Sequence, residues 1–61
     1  KALWTQAKRL LPRNHFTALW LFYAEGMKVD QIAEVMDQGV SSVKVWLHRA
    51  RKRLASHLKP A

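Results

Sequence analysis

A length of 61 residues allows one small domain, and at that size only about 60% of the unfolded chain's surface is buried on folding. The chain is 49% apolar, too hydrophobic for disorder, and it has no cysteine, which excludes disulfides and thiolate metal sites. A formal net charge of +7 favours an anionic partner, with nucleic acid ahead of an anionic membrane surface.

Four helices are predicted in chain order. The first runs roughly from Ala2 to Leu11, with Leu3, Ala7, Leu10 and Leu11 on one side. Pro12 ends it, because the residue before a proline is pushed out of helical geometry, and the same proline suits the start of the next helix. The second runs roughly from Arg13 to Glu25, and Gly26 suits a C-terminal cap with positive φ. The third runs from about Val29 to Met36, with Ile32, Ala33, Val35 and Met36 as its inner face. Asp30 suits the positive end of that helix, and Gln31 can supply half of a capping box, although Lys28 is a poor cap residue. Asp37-Gln38-Gly39 is a short break in which Gly39 is expected to give the backbone its freedom. The fourth starts near Val40 or Ser41 and runs to about Leu58, with Pro60 blocking continuation. The expected core is Leu10, Leu19, Tyr23, Met27, Ile32, Met36, Val43, Leu47, Ala50 and Leu54. No β-alternation or repeat is visible.

The last segment has a distinctive charge pattern. From Gln38 to Ala61 there are six basic residues (Lys44, Arg49, Arg51, Lys52, Arg53, Lys59) and no acid, while all four acids lie between Glu25 and Asp37. Val43, Leu47, Ala50, Leu54 and Leu58 recur at helical spacing, so one face belongs to the core and the opposite face is strongly positive. Such a face fits phosphates. A short helix, a tight turn and a longer basic helix over about residues 29–58 make a helix-turn-helix, whose second helix enters the major groove. Lys44, Val45, His48 and Arg49 share the outward side. Arg49 suits the O6 and N7 of guanine, and Val45 a thymine methyl. Of Arg51, Lys52 and Arg53, one or two reach phosphate, since neighbours on a helix diverge.

Several stretches together resemble region four of bacterial sigma factors, specifically the extracytoplasmic-function group. They are Leu11-Pro12, the run Leu21 to Met27 (LFYAEGM), the run Ile32 to Met36 (IAEVM), and Val43-Lys44 followed by Leu47 to Leu54 (LHRARKRL). The resemblance covers about residues 8–58, in the right order and spacing. It implies an all-α, four-helix domain without wing elements. It also implies a DNA-binding role in transcription initiation, reading a promoter minus-35 element on double-stranded DNA. Its partners would be the RNA polymerase core, through the β-subunit flap, and an anti-sigma protein of the kind that often masks this domain in the family. The DNA-reading positions map to Lys44, Val45, Trp46, His48 and Arg49, with Ser41, Ser42 and Lys52 completing the DNA-binding set. Three family contact positions are apolar here. Val45 and Trp46 stand where Ser and Arg usually follow the VK pair, and Phe22 replaces an arginine. The localisation implied is the bacterial cytoplasm, on the nucleoid. The chain begins with Lys1 rather than Met, which reads as a domain taken from a longer protein.

The second helix carries a further signal. Between Phe16 and Ala24 only Thr17 is polar, and a domain of this size cannot bury a helix on every side. Phe16, Trp20 and Phe22 are therefore candidate partner-binding residues, with cover by Trp4 and Leu11 of the first helix as the alternative. Two rival functions remain at this level. One is a sigma-like interaction module with weak, non-specific DNA binding. The other is the DNA-binding domain of a LuxR-type regulator, which shares EGM, IAE and VKV but lacks RARKRL and usually dimerises. The present chain is expected to be monomeric.

Catalysis is not expected. His15, His48 and His57 are far apart with no second ligand at metal spacing, so neither a metal nor another cofactor is indicated. There is no nucleophile-base pair, no glycine-rich phosphate loop and no carboxylate cluster. No apolar run approaches the roughly 18 residues that would span a bilayer, and Ala2 to Trp4 are too soon broken by Lys8 and Arg9 to act as a signal peptide.

Overall fold

The computed structural model describes residues 2–58, with side chains described over residues 4–57. Four helices follow in order: α1 (Ala2–Leu10), α2 (Arg13–Tyr23), α3 (Val29–Met36) and α4 (Val40–Leu58). The architecture is all-α, as expected. α4 packs against each of the other three, α2 and α3 also touch one another, and α1 rests on α2 and α4.

Local chemistry sets the breaks. Pro12 caps α2 with φ −56 and ψ 155, and its carbonyl accepts the Phe16 N–H at 2.9 Å. It has no side chain that can accept a hydrogen bond, so the α2 start is not capped by a side chain. At the other end of α2 the Trp20 carbonyl accepts the N–H groups of Ala24 and Glu25, at 2.8 and 3.2 Å. Gly26 then takes φ 71, the left-handed conformation expected of it. At the start of α3 the Lys28 N–H donates to the Gln31 Oε1 at 3.0 Å. Only this half of a capping box forms, because a lysine ammonium cannot accept a bond in return.

The turn between α3 and α4 differs from the expectation. Asp37, rather than Gly39, holds the left-handed conformation, with φ 56 and ψ 48. The Gln38 N–H reaches the Ala33 carbonyl at 2.9 Å and the Asp37 N–H reaches the Glu34 carbonyl at 3.2 Å. These two bonds close a Schellman motif, in which the chain must turn left-handed at the residue donating the inner bond. Gly39 comes too late for that role. Its carbonyl accepts the Val43 N–H at 3.1 Å, which makes it the N-terminal cap of α4.

Ala7, Leu11, Ala18, Leu19, Ile32, Ala33, Val43, Leu47, Ala50 and Leu54 form the buried core. Leu10, Met27 and Met36 pack against it half-buried, close to their expected places. Tyr23 does not join it and stays 53% exposed. It lies at the very end of α2, at the edge of the bundle, where its hydroxyl accepts a hydrogen bond from Arg51 Nη1 at 2.9 Å. Val35 is also outside, at 64% exposure. The inward positions of α3 are Val29, Ile32, Ala33 and Met36, a strict helical stripe that leaves position 35 on its flank. Leu3 and Leu58, expected on inward faces, lie outside the residues with described side chains.

The backbone roles of the turn residues make a direct test. Gly26→Ser should lower stability by about 1 kcal/mol, because a side chain is strained at positive φ even where space is open. Gly39→Ser should cost nothing or add a few tenths of a kcal/mol, as serine is a slightly better cap than glycine. Asp37→Gly should stabilise by about 0.5–1 kcal/mol, relieving the left-handed strain and removing a negative charge from the C-terminal end of α3. Urea unfolding followed by circular dichroism compares the three.

Candidate nucleic-acid interface

The rotation of α4 about its own axis is set by Val43, Leu47, Ala50 and Leu54, all buried. With that row inside, Lys44, Val45, His48, Arg49 and Lys52 must emerge on the far side, and all five are exposed. Lys44 and His48 lie one turn apart, and Val45, Arg49 and Lys52 form the adjoining row. Val45 keeps 43% of its surface exposed, so the row is apolar at its beginning and basic further on. Ser41 is exposed in the first turn, while Ser42 is half-buried on the side nearer the core. No acid lies in that turn, and its N–H groups lack helical partners, which suits the approach of an anion. The expected DNA-binding set is thus brought onto one helix face, with Ser42 at its inner margin.

Trp46 is half-buried against the core. Its ring lies 6.4 Å from that of His15 with 30° between the planes, so it spaces α2 from α4. Arg51 points to the opposite flank and bonds Tyr23. Beyond Trp46, one side of α4 forms an open cleft with the start of α2, lined by Pro12, His15, Arg49, Lys52, Arg53, Ser56 and His57. Of these, only Arg49 and Lys52 belong to the expected set. Arg49, Arg53 and His57 recur every four residues, a signal present in the sequence. That His15 faces them depends on how α2 crosses α4.

The expected partner-binding residues are only partly free. Trp4 of α1 meets Trp20 edge-on at a centroid distance of 4.9 Å and Phe16 at 6.1 Å. Phe16 and Trp20 stack at 6.4 Å. Phe16 and Phe22 are half-buried against the core, and Trp20 retains 38% exposure. α1, through Trp4, covers one side of the Phe16–Trp20 pair and leaves the Trp20 edge open.

The sequence matches the family model described as "Sigma-70, region 4" over residues 2–54. That match spans most of the chain, and the chain belongs to the sigma-70 region 4 family. No curated protein and no solved structure matches it. Region 4 is a DNA-binding, helix-turn-helix family of transcription initiation. In sigma factors generally it recognises the promoter minus-35 element and binds the RNA polymerase core. Among the described residues no helix is long and apolar enough to cross a membrane, and no cluster of side chains could hold a metal ion.

His15 reports on the cleft. Its pKa is lowered from the usual 6.5, first by burial and second by the positive charge of Arg49. The folded state thus prefers the neutral ring. This contribution to stability is fully present above pH 6.5 and is lost as pH falls through the lowered value. Ring-proton NMR titration should give a His15 pKa below 6.5, and Arg49→Gln should raise it only part of the way, since burial is the larger cause. His15→Gln should flatten the fall in melting temperature between about pH 7 and about pH 5.

Proposed function

We propose that this chain is the promoter-reading domain of an extracytoplasmic-function sigma factor, with residues 1–61 forming one unit of a longer protein. The observation that supports this best is the exposed row of α4 that carries Lys44, Val45, His48, Arg49 and Lys52 opposite a buried apolar row. A helix presented in this way, behind a three-residue turn, can lie in a major groove with its N-terminal half against base edges. Lys44 and Arg49 supply guanine contacts, Val45 a methyl contact, and Lys52 with Ser41 phosphate contacts. Ser42 has a supporting place at the helix start. The domain acts as a monomer in the bacterial cytoplasm, on nucleoid DNA, with no catalysis of its own.

Polymerase docking fits the other side of the molecule. Trp20, stacked on Phe16, has an aromatic edge that α1 leaves open, of a kind enriched at protein interfaces, while Phe22 packs beside Tyr23 on another side of α2. The β-subunit flap is the proposed partner there, and an anti-sigma protein would compete for the same surface. A LuxR-type regulator is the weaker reading, since the family match is to sigma region 4. A pure interaction module leaves the acid-free face of α4 without a use.

Selection of duplexes from a random pool by the chain joined to polymerase core should enrich one short motif. Lys44→Ala and Arg49→Ala should each lower affinity for that motif about tenfold or more. Binding without an enriched motif would instead make α4 a non-specific grip on phosphates.

A further inference from the structure

α2 crosses α4 so that its two ends lie on opposite flanks of that helix. At the start of α2, His15 faces Trp46, with the rings 6.4 Å apart and 30° between their planes. At the end of α2, the Tyr23 hydroxyl accepts a hydrogen bond from Arg51 Nη1 at 2.9 Å. His15 and Tyr23 are separated by roughly 12 Å along α2. Trp46 and Arg51 are separated by about 140° around the axis of α4, with its buried row between them.

These two contacts differ in kind from the core. Aliphatic packing is non-directional, so Val43, Leu47, Ala50 and Leu54 fix which side of α4 is inside without fixing its last degrees of roll. A tilted ring pair and a hydrogen bond each depend on angle. Trp46 is half-buried against the core. Phe22, also packed against the core, meets the Tyr23 ring edge-on at 4.9 Å and steadies its hydroxyl. The Tyr23–Arg51 bond is exposed, so water competes for both partners and it adds little to stability. What it supplies is direction. Base reading needs that, because a functional constellation tolerates displacements of only about 0.5 Å and tilts of about 10–20°. Arg49 carries its guanidinium on a long side chain, so a small roll of α4 moves that group out of register with a guanine edge.

We propose that His15–Trp46 and Tyr23–Arg51 form a two-point clamp that fixes the roll of α4, making all four positioning residues for base reading by Lys44, Val45 and Arg49. The clamp's purpose rests on the promoter-reading function. Arg51 thus acts within the domain, by holding the helix that carries the reading residues.

Two measurements test it. The first uses the chain alone, in which residual dipolar couplings of backbone amides give the orientation of α4 against α2. Tyr23→Phe, which removes only a hydroxyl, and His15→Ala, which removes a ring, should each alter the α4 couplings. The double variant should alter them by more than the two changes combined, and His15→Phe, which keeps a ring against Trp46, should restore them. Unaltered couplings in the variants would overturn the clamp. Tyr23→Phe is decisive by itself if the loss of the His15 ring unfolds the chain.

The second uses the chain joined to polymerase core and compares affinity for the selected motif with affinity for the same motif with one guanine replaced. Each single variant should lower that ratio about twofold and the double variant about tenfold, while affinity for an unrelated duplex stays the same. An unchanged ratio, or equal losses on all duplexes, would overturn the positioning role. If the unaltered chain enriches no motif, promoter reading fails and the positioning role with it, while the couplings still decide whether the clamp exists.

Discussion

The structure depends on one apolar row. Val43, Leu47, Ala50 and Leu54 run along α4 and are buried together, and α1, α2 and α3 each find their inner partner on that helix. A domain of this length has little core to distribute, so a single long helix serves as the common wall for three short ones. Holding that row inside limits the rotational freedom of α4. Its basic face is positioned by packing on the other side of the same helix.

Small side chains make this economy possible. Among the described side chains, four of the ten core residues are alanines: Ala7, Ala18, Ala33 and Ala50. Where they lie, the backbones of neighbouring helices can approach more closely than larger residues would permit. Ile32, Val43 and Leu47 then fill the centre at full burial. Larger aromatic side chains are kept at the margin, where Trp4, Phe16 and Trp20 form their own edge-on and stacked contacts. This division separates the two faces that matter for function. The outward rows of α4 are polar and basic apart from Val40, Val45 and Ala55, while the margin where α1 meets α2 is aromatic.

The electrostatic design is asymmetric in a way that local helix chemistry does not require. Neither α2 nor α4 has an acid in its first turn, although an acid there would be the usual complement to the helix dipole. Arg51 is held by a tyrosine hydroxyl rather than a carboxylate. His15 is kept toward its neutral form by burial and by Arg49. The positive field is thus left largely uncompensated within the domain, which suits a protein whose counter-charge is its ligand.

Much of this was legible in the residues themselves. Helix starts and stops follow from Pro12, Gly26 and the Asp37-Gln38-Gly39 break, because proline and glycine act locally on φ and on hydrogen bonding. The stripe of α4 and its acid-free outer face follow from helical period and charge alone, and with the VK and LHRARKRL runs they point to the sigma region 4 family. Three things required the tertiary structure. Which of Asp37 and Gly39 turns left-handed depends on where the last carbonyls of α3 find donors. Whether Tyr23 and Val35 go inside depends on where each helix leaves the bundle, and an apolar residue at helical spacing carries no information about that edge. The burial of Ala18 and the His15 side of the cleft depend on how closely and at what angle the helices cross, a relation between segments distant in the chain. Sequence periodicity determines the faces of each helix, and only packing decides which of those faces meet.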